Sequence, residues 1–427
     1  MPRRTALAIL MGTVVALAGL GARPARVDAA ATPLPATVTF YGRGYGHGVG
    51  MSQYGARGRA LAGQLAPAIL AHYYAGTTLG SRDPATIVRV LVQTGFTATT
   101  SAPATIIGLG GQWTIDGIAG SFPAKGKVTL APTAVGATTW SLKVLAPTGT
   151  VLRQATVSGA VIVRPAPTTG VLQLASKPST SNVFRGFLRV RLGTTAMVIN
   201  HVPADAYLRG VVPLEMPASW PGEALKAQAI AARSYALRAI HPTTGTFDVY
   251  DDTRSQVYRG VKGENPATDA MIAATSGTVL LSGSSIANAL YHSADGGWTE
   301  NNENVFVSST GQIVAGPLSY LRGSSDRAPD GSSFDKASPY ASWKTATYTK
   351  SQLSGFFATD PRTNVGTMSG LDLSDRGVSR RLISITLVGS AGTKTVSGDV
   401  FRSVFNTASP LADPALRGNL FDLAPIP

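Results

Sequence analysis

The sequence predicts an α+β fold in which strands outnumber helices, and three observations predict it. Only 14% of the 427 residues are charged, while 47 are Gly and 27 are Pro, a turn-rich mix that suits sheets better than a helical bundle. From Ile87 to about Val202 runs such as IVRVLV, GKVTLA, TWSLKVLA, AVIVRP, GFLRVRL and AMVINHV are spaced by Gly, Pro, Ser and Thr, the pattern of successive short strands. Past Asp205 the composition changes, and the stretch from Pro221 to Leu237 is so rich in Ala that it reads as one helix, apolar nearly all round and therefore buried on most sides.

The elements follow in order. Arg3 and Arg4, the apolar run Ala6 to Leu20, and the small residues at Val27-Asp28-Ala29 read as an export leader cut after Ala29. The run is short and Gly/Ala-rich for a spanning helix of about 20 residues, which favours cleavage over a retained anchor. The Arg pair also fits twin-arginine export, though the residues after it match weakly. No later stretch is long and apolar enough to cross a bilayer, so the expectation is a secreted, extracytoplasmic protein. Residues 30–36, stiffened by Pro33 and Pro35, read as a linker. Thr37 to Gly50 is expected to be a strand entering a Gly-rich loop, with helices over Met51–Gly63 and Pro67–Tyr74. The stretch TVLLSGSSIANALYHSADGG reads as strand, turn and strand. Loops and a short helix near Ser351 follow, then a hairpin and a short helix at LISITLVGSAGTKTVSGDVF.

Charge and cysteine content narrow the class. Without the leader the chain carries 33 basic and 22 acidic residues, a net charge of +11, which draws it to polyanions. Export makes nucleic acid the wrong polyanion, and leaves wall polymers and peptidoglycan carboxylates. There is no cysteine, so no disulfide staples the fold and the usual structural zinc sites are excluded.

Glu215 heads the candidates for chemistry. In VVPLEMPASW it is flanked by Pro213, Leu214, Met216 and Pro217, and an apolar surround raises a carboxyl toward the range of a general acid. The rival reading is a carboxylate near the N-terminus of the following helix, set against its dipole. On that helix Gln228 falls with Tyr235, and Arg233 lies on the opposite flank. Polar groups on a buried helix need partners; Arg233 either orients Glu215 or holds a glycan carboxylate, or it forms an internal salt bridge. The segment GRGYGHGVGMSQYGARG lacks the GxGxxG spacing and the acidic residue of a nucleotide site. Its alternating glycines allow close backbone approach, and His47, Ser52 and Gln53 offer groups that sugars hydrogen-bond; a tight loop with His47 bonded to backbone is the alternative. His292, Ser293 and Thr299 lie in YHSADGGWTENNENVF with no nucleophile elbow nearby, and Trp298 either stacks on sugars or packs. The five histidines form no zinc pair, so neither metal nor cofactor is expected.

Three motifs then resemble one family. GHGVGMSQYGA with ILAHYYAGTTL, VINHVPADAYLRGVVPLEMPASWPGEALKAQAIAARSYAL, and YHSADGGWTENNENVF are similar to the signatures of the SpoIID/LytB family, with SPYASW and TVSGDVFRSVF as further landmarks. The resemblance runs from about Phe40 to Phe421. It implies one strand-rich domain over 37–427, divided into a Gly-rich segment at 37–80, a β-rich scaffold at 85–202 and a catalytic segment at 203–427. The order departs from the sporulation protein, where the GHGVGMSQ segment lies at the C-terminal end. Such a permutation is tolerated when termini meet at the surface, and it predicts that residues 37–80 pack against chain lying after Glu215.

The resemblance places the family's catalytic carboxylate on Glu215 and its conserved Arg on Arg233, with Ser52 and Gln53 near the same groove. It implies a lytic transglycosylase acting on the MurNAc–GlcNAc bonds of peptidoglycan strands and leaving a 1,6-anhydro sugar. The alternative is a non-catalytic wall-binding protein that enhances a cell-wall amidase.

Overall fold

The computed structural model describes residues 31–167, 169–241 and 245–426; the predicted leader and its cleavage site lie outside them. Strand content exceeds helix content, 33% against 21%, and the fold is α+β. The chain forms two compact units, one from Leu79 to Asn288 and one that joins the N-terminal residues through Thr78 to Ala289–Pro427. Among the described residues no helix is long and apolar enough to cross a membrane.

The Leu79–Asn288 unit begins with the β-branched runs. Seven strands form one sheet in the order Val249–Tyr250, Ile87–Phe96, Ala196–Pro203, Phe187–Leu192, Ala160–Ala166, Gln112–Ile115 and Ile118–Phe122. Val249 pairs parallel with Val90, while Ile87–Phe96 and Ala196–Pro203 run antiparallel with Val202 opposite Val88. A second sheet of six strands is ordered Val151–Ser158, Thr139–Leu145, Lys127–Pro132, Ala104–Leu109, Val171–Leu174 and Val183–Phe184. Burial alternates along many of these strands, as in Thr139–Leu145 where Trp140, Leu142 and Val144 are buried, because successive side chains point to opposite faces. Trp113 of the first sheet fits against Gly108 of the second, where any Cβ would collide with the indole.

Four helices follow the sheets: Ala204–Arg209, Val212–Glu215, Gly222–Arg238 and Pro266–Ala274. The predicted Ala-rich helix is present as Gly222–Arg238 and buries 12 of its 17 residues. Its small side chains are what allow neighbours to cover it from several directions. Pro221 stands at the N-cap position with no side-chain capping bond. Glu223 in the first turn pairs with Lys226 at 2.7 Å.

The other unit shows the packing that the permuted motif order predicts. Tyr41–Gly42 pairs antiparallel with both Trp343–Lys344 and Phe421–Asp422, and Met51–Ser52 runs parallel to Tyr291–His292. Residues near the start of the described chain are thus built into sheets with residues about 240 to 380 positions later. The predicted helices are Gln53–Leu61, Ala66–Tyr73, Lys350–Ala358 and Gly398–Ala408, and the closing hairpin pairs Ser384–Gly389 with Gly392–Ser397. An aromatic core of Phe40, Phe357, Phe401, Phe405 and Phe421 gathers the two ends, with Phe40 edge-on to Phe401, Phe405 and Phe421 at 5.4–5.8 Å. Edge-to-face contacts of this kind add to the area that the rings bury.

Candidate functional site

In the Leu79–Asn288 unit the candidate carboxylate sits at the end of a four-residue helix. Val212–Glu215 carries Pro213 in its first turn, and Met216 leaves helical geometry with an extended backbone. Glu215 is half-buried. Met216 beside it is fully buried, but Leu214 is 42% exposed and Pro217 is exposed, so the flanking apolar residues cover the carboxylate only in part. Two phenols sense its charge. Burial holds the Tyr207 hydroxyl well above its ordinary value, with the Tyr235, Tyr258 and Glu215 charges adding to the rise. Tyr235 is also raised, by burial first and by Glu215, against a hydrogen bond from Ser255. Both are therefore neutral hydroxyls at any ordinary pH.

These phenols are held by residues that the sequence reading passed over. Tyr207 donates to Gln256 Oε1 at 3.1 Å, and Gln256 Nε2 donates to the Ala232 carbonyl on the Gly222–Arg238 helix at 3.4 Å. Tyr258 donates to Asn200 Oδ1 at 2.9 Å, and Asn200 Nδ2 in turn donates to the Arg185 and Phe187 carbonyls. The rings of Tyr207 and Tyr258 lie 5.0 Å apart. Tyr207 was within reach of sequence reasoning, since it stands in the same DAYLRGVVPLE motif as Glu215. Ser255, Gln256 and Tyr258 come from a polar loop whose sequence gives no sign of where it folds.

Arg233 forms the internal salt bridge. It is fully buried and donates from Nε to Asp205 Oδ1 at 2.6 Å, from Nη1 to the Thr278 carbonyl at 3.0 Å and from Nη2 to the Ile272 carbonyl at 3.3 Å. Ser276 donates to the other oxygen of Asp205 at 2.6 Å. The guanidinium thus ties the Gly222–Arg238 helix to the start of Ala204–Arg209 and the end of Pro266–Ala274. Burial lowers its pKa and Asp205 opposes that. Gln228, also fully buried, shares the helix with Arg233, and Tyr235 is the residue of that helix whose hydroxyl senses Glu215.

The remaining candidates belong to the other unit. His47 and His292 lie 5.3 Å apart, ring to ring. Both bind the backbone of one residue: the Val49 N–H donates to His47 Nδ1 at 3.0 Å, and His292 Nδ1 is 3.2 Å from the Val49 carbonyl. Burial, then the Arg381 charge, lowers His47 to about 4; burial and the His47 and Arg381 charges take His292 well below its ordinary value. The neutral pair therefore has complementary tautomers, with the His47 proton on Nε2 and the His292 proton on Nδ1. Ser52 is fully buried and caps the Gln53–Leu61 helix, its Oγ accepting from Gly55 N at 3.1 Å. Gln53 opens that helix and is buried. Ser293 accepts at its carbonyl from Tyr54 N at 3.0 Å. Thr299 is buried and accepts from Ser324 N at 2.9 Å. The structure thus brings His47, Ser52, Gln53, His292 and Ser293 together around the Gly-rich loop.

Beneath this loop lies a buried acidic network. Asp326 accepts from Arg59 Nε and from the Tyr73 hydroxyl, each at 2.8 Å, and Arg59 Nη2 meets His72 Nε2 at 2.8 Å. Asp295 is fully buried, and burial together with the Asp326 and Asp335 charges pushes its carboxyl well above the ordinary range. Both causes favour the protonated form of the carboxyl. The consequence for stability has a definite sign. Because the folded-state value is raised, the unfolded chain releases this proton at lower pH than the folded chain does, so stability falls as pH rises from the unfolded toward the folded value. Asp295→Asn mimics the neutral acid. The variant is expected to match or exceed the native chain in urea midpoint at pH 8, with a smaller advantage at pH 5. A variant that loses the same stability at both pH values would show that Asp295 is charged.

Residues 193–281 match a family model described as SpoIID, stage II sporulation protein. That segment contains Glu215, Gln228, Arg233, Tyr235 and the residues that hold the two phenols. Among curated proteins the chain is 39% identical over 155 residues to the amidase enhancer of Bacillus subtilis (strain 168), covering 35% of this chain and 21% of that protein. It is 31% identical over 231 residues to stage II sporulation protein D of the same organism, covering 49% of this chain and 60% of that one. Stage II sporulation protein D of Bacillus amyloliquefaciens is 34% identical over 130 residues, 26% of this chain and 37% of the relative. The chain thus spans between about a fifth and three fifths of these relatives. The matched segment at residues 193–281 and the names of these relatives support a likeness to the SpoIID/LytB family over part of the chain.

Proposed function

We propose that the protein is a peptidoglycan lytic transglycosylase acting outside the cytoplasm, with Glu215 as its acid and then its base. The observation that carries this reading is the placement of Glu215: half-buried at a helix end, inside the family-matched segment, with two neutral phenols within reach of its charge. Ordinary glycosidases use two carboxylates. Here the nucleophile is the sugar's own 6-hydroxyl, so one carboxyl group suffices. Protonated Glu215 delivers its proton to the glycosidic oxygen as the C1–O bond of MurNAc breaks, and the GlcNAc leaves with a free 4-hydroxyl. The 6-oxygen then bonds to C1, and its proton returns to the Glu215 carboxylate. Holding both reacting groups within one sugar supplies the effective molarity. Arg233 takes part by fixing the helix that carries Tyr235.

A second reading is favoured by the name of one relative, an amidase enhancer: the chain binds wall glycan without cutting it and stimulates an amidase. Digestion of purified glycan strands, with and without stem peptides, separates the two. Anhydro-ended fragments in the mass spectrum support the transglycosylase. Reducing-end products would make it a muramidase that transfers to water. Intact strands, with wall binding retained, would move the assignment to the enhancer.

A further inference from the structure

We propose a saccharide-binding site in the unit that contains the Gly-rich loop, built on Tyr45, Tyr340 and Arg417 and selective for sugars that carry a carboxylate. It goes beyond the cleavage assigned to Glu215 and does not depend on it.

The segment Arg43–Gly46 is clasped by backbone bonds on every side. Arg43 N donates to the Leu420 carbonyl at 3.1 Å, Gly44 N to Tyr340 at 2.8 Å and Gly46 N to Arg417 at 3.2 Å; Tyr45 and Ala294 exchange both of their bonds, at 2.8 and 3.1 Å. Trp343 Nε1 donates to the Gly44 carbonyl at 2.8 Å. Gly44 itself has a φ of +73°, and a Cβ there would come 2.7 Å from the Ala294 oxygen. This is a rigid frame, which limits the entropy lost on binding.

What the frame presents is aromatic and cationic. The Tyr45 ring is 37% exposed and lies 4.7 Å from that of Tyr340, at 67°. The Arg417 guanidinium stands 5.8 Å from the Tyr45 ring centre and 5.2 Å from that of Tyr340. Among the described residues it has no hydrogen bond and no acidic partner: its recorded contacts are the two rings. Two residues before Tyr45, Arg43 has a buried Nε with no hydrogen-bond partner. Most of the described arginines are tied to carboxylates or carbonyls, as Arg89 is to Asp248 and Arg185 to Glu264. A guanidinium oriented by two tyrosines and left with free donors offers a planar fork that matches a carboxylate. The exposed ring face beside it suits the apolar face of a pyranose.

The test uses the Glu215→Gln chain, so that no ligand is consumed, titrated by calorimetry with three oligomeric or polymeric probes and two monosaccharides. The first three are a galacturonate oligosaccharide, a neutral chito-oligosaccharide of equal length and poly(glycerol phosphate). The galacturonate is expected to bind at least tenfold more tightly than the neutral sugar. Arg417→Gln is expected to remove that preference, and Tyr45→Ala to weaken both sugars. Muramic acid, whose carboxylate is on a lactyl arm, distinguishes the two sources of the charge: binding equal to monomeric galacturonic acid shows that either geometry serves. Equal affinity for charged and neutral sugars, tighter binding of the phosphate polymer, or a preference that survives Arg417→Gln would overturn the proposal. Because Arg417 is partly exposed and carries no ion pair, its variant is expected to keep the native urea midpoint. Loss of cleavage in the otherwise native chain would bear on Glu215 alone.

Discussion

Replacing Glu215 by Gln is expected to lower the release of anhydro-ended fragments by at least about three orders of magnitude, at the upper part of the range for a general acid or base. One carboxyl performs both proton transfers in the proposed scheme, so its loss removes two contributions together. The amide keeps the shape of the side chain but neither gives nor takes the proton. Stability is expected to change little, within about 0.5–1 kcal/mol, because Glu215 is half-buried at the end of a short helix. The measurement is a fragment yield by mass spectrometry, set beside a wall-pelleting assay and a urea melt of the same variant. A variant with native yield would remove Glu215 from the mechanism. A drop in yield matched by a drop in urea midpoint would show only that the chain had unfolded.

Breaking the Arg233–Asp205 pair is expected to cost about 3–5 kcal/mol, the usual result when one partner of a buried pair is lost and the other is stranded. Arg233 is fully buried with all three of its recorded donors placed, on Asp205, Thr278 and Ile272. Arg233→Gln is therefore expected to lower the urea midpoint markedly with little change in slope. Arg233→Lys keeps the charge but loses the planar set of donors, and is expected to recover only part of the stability. Fragment yield measured well below the melting transition then separates the roles. If Arg233 acts by fixing the helix, Arg233→Lys retains most of its turnover while losing stability. A lysine variant with native stability and no turnover would instead place the guanidinium on substrate.

The broad architecture was legible in the sequence because it depends on local pattern. The strands between Ile87 and Val202 are β-branched runs spaced by turn residues, and the stretch from Pro221 to Leu237 is rich in Ala, so local composition located both. Glu215 stood out in the sequence as a lone carboxylate between Pro, Leu, Met and Pro, and the family resemblance pointed to the same residue; its catalytic role is the one proposed above. The permuted motif order predicted that the Gly-rich segment would meet much later chain, which the pairing of Met51–Ser52 with Tyr291–His292 shows.

What only the tertiary structure decided is which polar residues face which. Arg233 was open between a site role and an internal bridge, and the choice rested on Asp205, 28 positions upstream. Ser52 became a helix cap, and His47 and His292 became a neutral pair on the backbone of Val49. No spacing encodes that pair, because it joins positions brought together by a parallel strand contact. Nothing in the local sequence marks Asp295 and Asp326 as buried, yet the fold buries both, and burial pushes the Asp295 carboxyl up. Local pattern fixes where a chain turns and which face is apolar. Partnership among polar groups depends on burial and long-range contact, and these exist only once the chain has folded.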